Sequence, residues 1–207
     1  MEQEIVEITE RVVSEIVDDP DVLLIAGGTG SGKSTIARAI QSRTHGLIMS
    51  LDDYFLDEKD LEMAIPEYNI RQWDTPDCYD WSLLKENLNR LLLGNLIKIP
   101  IRSRFLHKRV GWHRNVVRQT GQLIIVDGLY ALDDRILSTI EASRANFFGV
   151  FLDVDPEIRW DRTHERDVSE RHENPVTLRS RFDEVIRPAE VNYLDKQRGK
   201  SHMTIVG

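Results

Sequence analysis

One cysteine, Cys78, is all the 207-residue chain carries, so no internal disulfide can form, and a reducing compartment is expected. A surplus of cations is also missing: 27 Lys and Arg stand against 35 Asp and Glu, for a formal net charge of −8. Surfaces that coat nucleic acid are charged the other way, so no nucleic-acid partner is expected. No apolar run approaches the roughly 20 residues of a membrane span, and the acidic amino terminus is unlike a signal peptide. A cytoplasmic protein without a membrane partner is the expectation. Internal repeats and low-complexity tracts are absent. His45, His164, His172 and His202 are not spaced as metal ligands. What remains, 41% hydrophobic and 30% charged, is the balance of one soluble globular domain.

Against that background one stretch stands out: Gly27-Gly28-Thr29-Gly30-Ser31-Gly32-Lys33-Ser34-Thr35. It follows the apolar run Val22–Ala26 and precedes a helical pattern over Ile36–Ile40. Gly27 to Ser34 satisfies G-x-x-x-x-G-K-[ST], the phosphate-binding loop of nucleoside-triphosphate enzymes. Glycines let backbone N–H groups converge on phosphate oxygens, and the following helix turns its positive end toward the same anion. Lys33 can reach the β- and γ-phosphates, and the Ser34 hydroxyl can ligate Mg²⁺.

Elsewhere the patterns predict the frame that carries this loop. Residues 2–19 place Ile5, Ile8, Val12 and Ile16 at helical spacing, which predicts an amphipathic helix ending before Pro20. It packs on the domain or on a second subunit, leaving a homo-oligomer open. Val22–Ala26, Gly46–Leu51, Gln122–Gly128 and Phe147–Asp153 read as buried strands, with Met203–Val206 as a last one. Asp52 and Asp53 follow the second strand, where an open α/β sheet binds its ligands. Asp127 ends the third in a Walker B arrangement, a carboxylate for Mg²⁺ held directly or through water.

Three stretches point to an acceptor and to closure over it. Residues 57–80 are polar with interspersed aromatics, which predicts a substrate-facing loop. Trp81–Leu93 then has helical spacing, with Gly94 as its cap. Lys98–Phe105 and Asn115–Arg118, two extended runs around a middle containing Gly111, predict a projecting β-hairpin. Its Arg102, Arg104, Lys108, Arg109 and Arg114 are either solvated edge charges or substrate-facing cations. Arg159, Arg162, Arg166 and Arg171 interleave with acids, as on a solvated helix, or form a lid that brings guanidinium groups to a phosphoryl group. Four arginines without a lysine favour the lid. Thr177–Arg187 reads as a helix up to Pro188.

Phosphate loops serve switches, motors and kinases alike. No Asn-Lys-x-Asp follows a strand, which argues against a switch GTPase. A small-molecule kinase needs an ATP cradle, a carboxylate for the acceptor hydroxyl, cations on the γ-phosphoryl group and a lid that excludes water. Candidates for all four are present: the loop, Asp52 or Asp53, Lys33 with the arginine run, and Arg162 to Arg171.

On these motifs, in this order, the chain from about Val22 onward resembles the uridine kinase and phosphoribulokinase group of P-loop kinases. The resemblance implies a three-layer α/β P-loop NTPase fold with a mostly parallel five-stranded sheet, a projecting β-hairpin and a helical lid. An amino-terminal helix would occupy residues 1–20 and the kinase domain residues 21–207, with the hairpin at about 97–119 and the lid at about 159–175. It implies ATP and Mg²⁺ as cofactors, with Gly27 to Thr35 holding the nucleotide and Ser34, Asp127 and Asp52 the metal. Asp52, in Ser50–Phe55, matches the catalytic base, and Lys33, Arg162 and Arg166 match groups that follow the transferred phosphoryl. Asp77, within Trp73–Asp80, matches a residue that binds the acceptor hydroxyl, His107 a pocket histidine, and Arg171 a further acceptor contact.

The departures bear on the acceptor. Arg102-Ser103-Arg104 stands where uridine kinases carry Tyr-Asp-Phe, Asp127 where Glu is commoner, and Glu173 where an arginine is expected. Arg102 and Arg104 suit an anionic acceptor, a sugar phosphate or a pantothenate-like acid, yet an arginine also stacks on a nucleobase. The expected small-molecule acceptor is a nucleoside, uridine or cytidine, phosphorylated on its 5′-hydroxyl. An anionic acceptor and a regulatory ATPase without acceptor are the alternatives.

Overall fold

Val22, Leu24 and Ala26 pack into one apolar cluster while Leu23 and Ile25 pack into another, so the strand they form is covered on both faces. Such a strand belongs in the middle of a parallel α/β sheet. The computed structural model describes residues 2–16, 19–57, 59–61, 75–103, 106, 108–113, 115–169 and 174–207. In it, β1 (Val22–Gly27) lies at the centre of a five-stranded sheet with β2 (Leu47–Ser50), β5 (Ile124–Asp127), β6 (Phe147–Asp153) and β7 (Met203–Val206). The strand order is β2-β5-β1-β6-β7, and every adjacent pair is parallel.

Helices cover the two faces. Ile36, Ala37 and Ile40 of α2 (Lys33–Thr44) join the cluster under Leu23 and Ile25, and Val12 of α1 (Glu2–Glu15) packs there too. On the opposite face α3 (Trp81–Leu92) contributes Leu84, Leu88 and Leu91, and α4 (Asp134–Ala142) contributes Ile136 and Ile140. Asp80 caps α3 by accepting the Leu83 N–H, and Gly94 just past its end takes a left-handed turn at φ 71°. After β6 come α5 (Pro156–Ser169), α6 (Pro175–Arg181), α7 (Arg187–Tyr193) and the short α8 (Asp195–Arg198).

Two expectations are corrected. The second hairpin strand is β4 (Lys108–Trp112), which pairs with β3 (Pro100–Ser103), so Gly111 lies inside a strand opposite Ile101 rather than between strands. Asn115–Arg118 contributes only a bridge from Val116 to Ile97. The final helical stretch also does not stop at Pro188. A π-turn over Phe182–Ile186 precedes α7, and Pro188 occupies the first turn of α7. Helical backbone runs through the junction, and the wider π-turn before Pro188 makes room for its ring, so the chain continues.

The register fixes what meets at the carboxyl edge. Asp127 aligns with Ile25 of β1 on one side and Ser50 of β2 on the other. The phosphate loop leaving β1 and the Asp52 turn leaving β2 therefore flank the Asp127 carboxylate.

Candidate functional site

Gly30 and Gly32 sit at φ 80° and 93°, left-handed conformations that a glycine adopts without strain. They bend Gly28–Ser31 into a loop whose end is the start of α2. The Lys33 ammonium folds back onto it, donating to the Gly28 carbonyl at 2.8 Å. The Ser34 hydroxyl donates to Asp127 Oδ2 at 2.7 Å. Burial lowers the Lys33 pKa, against the pull of the Asp52, Asp127 and Glu190 carboxylates. Burial raises the Asp127 carboxyl, opposed by the Ser34 hydrogen bond and reinforced by the charge of Asp52. Lys33, Ser34, Asp52 and Asp127 thus form one electrostatic group. Asp53 acts instead on the buried Tyr54 phenol, whose pKa is raised mainly by burial.

Asp127 also makes stability depend on pH. Its folded-state pKa stands above the unfolded value of about 3.9, so the folded chain holds the extra proton between the two. Stability therefore falls as pH rises through that window and is lower above it. Asp127→Asn removes the charge while leaving an oxygen for Ser34. Calorimetry in metal-free buffer at pH 7 is expected to give a higher Tm than the parent, with turnover lost.

The Asp52 turn, a 3₁₀ segment over Leu51–Tyr54, is braced from several sides. Asn87 of α3 donates to the Tyr54 hydroxyl at 3.0 Å, and the Tyr54 carbonyl accepts the Asp80 N–H at 2.7 Å. Arg102 of β3 donates to the Phe55 carbonyl at 2.7 Å and reaches Asp57 at 3.4 Å, its side chain only 6% exposed. Asp57 also accepts the Arg109 N–H at 2.7 Å, which pins the hairpin to this turn. Leu51 lies directly over Gly128, where an added Cβ would come 2.5 Å from the Leu51 Cβ. Gly128→Ala must therefore displace Leu51 and, with it, Asp52. We expect kcat to fall by up to about 100-fold, with a lower Tm, in steady-state and melting assays.

A buried ion pair holds the loop from above. Arg159 of α5 and Glu190 of α7 meet at 2.6 Å, with 8% and 6% of their side chains exposed. Glu190 accepts the Thr29 N–H at 2.9 Å, and Arg159 donates to the Thr29 carbonyl at 3.2 Å. A side chain at Gly28 would collide with this pair, and one at Gly30 with Arg159 and Thr163. The sequence gives Arg159 only as one of a run. Glu190 and Asp57 carry no local signal, because their partners lie on other elements.

The remaining predicted residues are spread out. Asp77 lies at the rim, 3.9 Å from Arg135, with 68% of its side chain exposed. Arg162 is 3.6 Å from Glu4 of α1, and Arg166 is bonded to Asp167 at 2.7 Å. Both line a cavity beside the loop, together with Gly30, Ser31, Gly32 and Thr35. Arg104, His107 and Arg171 lie outside the described residues, as do Trp73, Asp74, Arg114, Glu170 and Glu173. Past the Asp52 turn Phe55 stacks on Tyr79 with ring centroids 4.3 Å apart, and Arg109 pairs with Asp80 at 3.3 Å.

The arrangement fits a metal-bound nucleotide. Ser31 Oγ and Thr163 Oγ1 are buried beside the loop without a hydrogen-bond partner among the described residues. Ser34, Asp127 and Asp52 form an all-oxygen donor set suited to Mg²⁺ completed by water and phosphate oxygens. No helix among the described residues is long and apolar enough to cross a membrane.

Known proteins resemble the chain in sequence and in fold. The family model described as the phosphoribulokinase / uridine kinase family matches residues 22–206. The chain is 29% identical over 182 residues to a uridine kinase of Deinococcus deserti, covering 85% of this chain and 82% of that one. It is likewise 29% identical over 180 residues to a uridine kinase of Lactobacillus johnsonii, covering 85% and 81%. Its fold matches a structure described as a possible uridine kinase from Bacillus stearothermophilus at TM-score 0.66 and 15% identity, covering 99% and 100% of the two chains.

Proposed function

Because the chain belongs to the phosphoribulokinase / uridine kinase family, we propose that it transfers the γ-phosphoryl group of ATP to the 5′-hydroxyl of uridine or cytidine. The observation that carries this reading is the convergence of Lys33, Asp127 and Asp52 at the carboxyl ends of adjacent parallel strands. A phosphate cradle, a metal-binding carboxylate and a second carboxylate within one electrostatic group are what phosphoryl transfer to a hydroxyl needs.

In this reading Gly27–Thr35 holds the triphosphate, and Lys33 leaves the Gly28 carbonyl for the β- and γ-phosphate oxygens. Ser34 and Asp127, with Asp52, would hold Mg²⁺, which supplies neutralisation of the phosphate charge when bound. Asp52 orients the acceptor hydroxyl in line with the γ-phosphorus and takes its proton late in a loose transfer. Arg162 and Arg166, which line the cavity beside the loop, face the bound nucleotide, and Asp77 and His107 orient the acceptor. Arg102 acts through Asp52 by bracing its turn. That role supports a neutral acceptor, since the Arg102 charge is already paired with Asp57 while its N–H donates to the Phe55 carbonyl. The stacked Phe55 and Tyr79 rings are in keeping with a nucleobase nearby.

An ADP-release assay over nucleosides, sugar phosphates and carboxylic acids, with a no-acceptor control, tests the reading. Turnover that depends on uridine or cytidine is expected. Turnover that depends only on an anionic acceptor would overturn the nucleoside assignment. Equal release in the control would replace the kinase by an ATPase.

A further inference from the structure

A cavity of about 370 Å³ opens beside the phosphate loop, walled by Ile5 and Ile8 of α1, Thr35 and Ile36 of α2, Leu152 of β6 and Ile205 of β7. Its size and walls, apolar with a few polar groups, suit a flat heterocycle. It adjoins the loop, so a base joined through its ribose to phosphates on Gly27–Thr35 would enter it.

The contribution of α1 goes beyond packing. Val12 is fully buried, and Ile8, Val13 and Ile16 pack on the same core cluster, so Ile8 serves both the core and the cavity. Ile5 packs in neither core cluster, yet it is half-buried and faces the cavity. Glu4, one residue earlier, reaches Arg162 of α5 at 3.6 Å across the cavity rim. The family match begins at residue 22, so this wall lies outside the part of the chain that the family model covers.

We propose that the amino-terminal half of α1 is the outer wall of the donor-nucleobase site, with Ile5 and Ile8 covering the base and Glu4 holding Arg162 at the rim. This rests on the reading that Gly27–Thr35 holds the donor's phosphates. The wall contacts the base and not the phosphates, and that separates it from the loop experimentally.

The test is calorimetric titration of the full-length protein with MgATP and, separately, with magnesium tripolyphosphate, which has the phosphates but no base. Ile5→Asp sets a charge against the base at a position in the early part of a helix, where an acid is tolerated. MgATP is expected to bind this variant at least about tenfold more weakly, with tripolyphosphate affinity unchanged within about twofold. Ile8→Ala is expected to move MgATP affinity in the same direction by a smaller factor. Unchanged affinity for both ligands in both variants overturns the role of α1. Equal loss for both ligands, with a lower Tm, also overturns it, because α1 then only supports the fold. If the parent protein binds neither ligand, the phosphate-loop reading fails first and the inference falls with it.

Discussion

Lys33→Ala protein is expected to fold as the parent does and to turn over about a thousandfold more slowly, a loss of about 4 kcal/mol of transition-state stabilisation. The loss falls on kcat because charge on the γ-phosphoryl oxygens develops during transfer, and Lys33 is the loop's mobile cation. The fold is spared for a reason visible in the site. Burial already disfavours the charged ammonium, so its removal relieves a desolvation cost while the hydrogen bond to the Gly28 carbonyl is lost. Between the lowered folded pKa and the unfolded value of about 10.4, the unfolded chain binds more protons at Lys33. Parental stability therefore gains a contribution as pH rises through that window, and the alanine variant lacks it. Rapid-quench turnover and melts across alkaline pH measure both effects. Parental kcat in the variant would remove Lys33 from the mechanism.

Asp52→Asn is expected to lower kcat by about 10²- to 10⁴-fold, the range for losing a positioned general base, with acceptor KM little changed. Asparagine keeps the size and an acceptor oxygen, so Leu51, Tyr54 and their braces stay in place. The same substitution at Asp53 is the control. Its charge acts on Tyr54, whereas that of Asp52 acts on Lys33 and Asp127, so a far smaller change in kcat is expected. Pre-steady-state kinetics with excess acceptor isolates the transfer step. Equal losses at both positions would show that the turn tolerates neither change, and the base assignment would fail.

The features legible in the sequence are those written in local patterns. The loop is a contiguous string, and Phe147–Asp153 is an apolar run that becomes β6 over the same residues. The five parallel strands follow from apolar runs of strand length, and Asp127 from its place at the end of one. The hairpin register was less legible. Lys108–Trp112 alternates exposed and half-buried positions, without the apolar face that marks a strand against a core. Residues joined across the fold left no trace at all. Arg102 reads as an acceptor-facing cation until the Phe55 carbonyl is seen beside it. Nothing around Glu190 announces a partner in the phosphate loop, and Pro188 two residues earlier reads as a helix stop.

The contact between Glu190 and Thr29 spans 161 positions of sequence. The chain entropy of closing such a loop is lost before the contact repays it, so the pair depends on the rest of the fold to bring it together. During synthesis the glycine-rich motif therefore emerges well before the carboxylate that ties down its Thr29 N–H. The most local motif in the chain thus takes part of its shape from a residue far along the sequence. A nascent chain stopped before α7 would display every residue of the loop without its final shape.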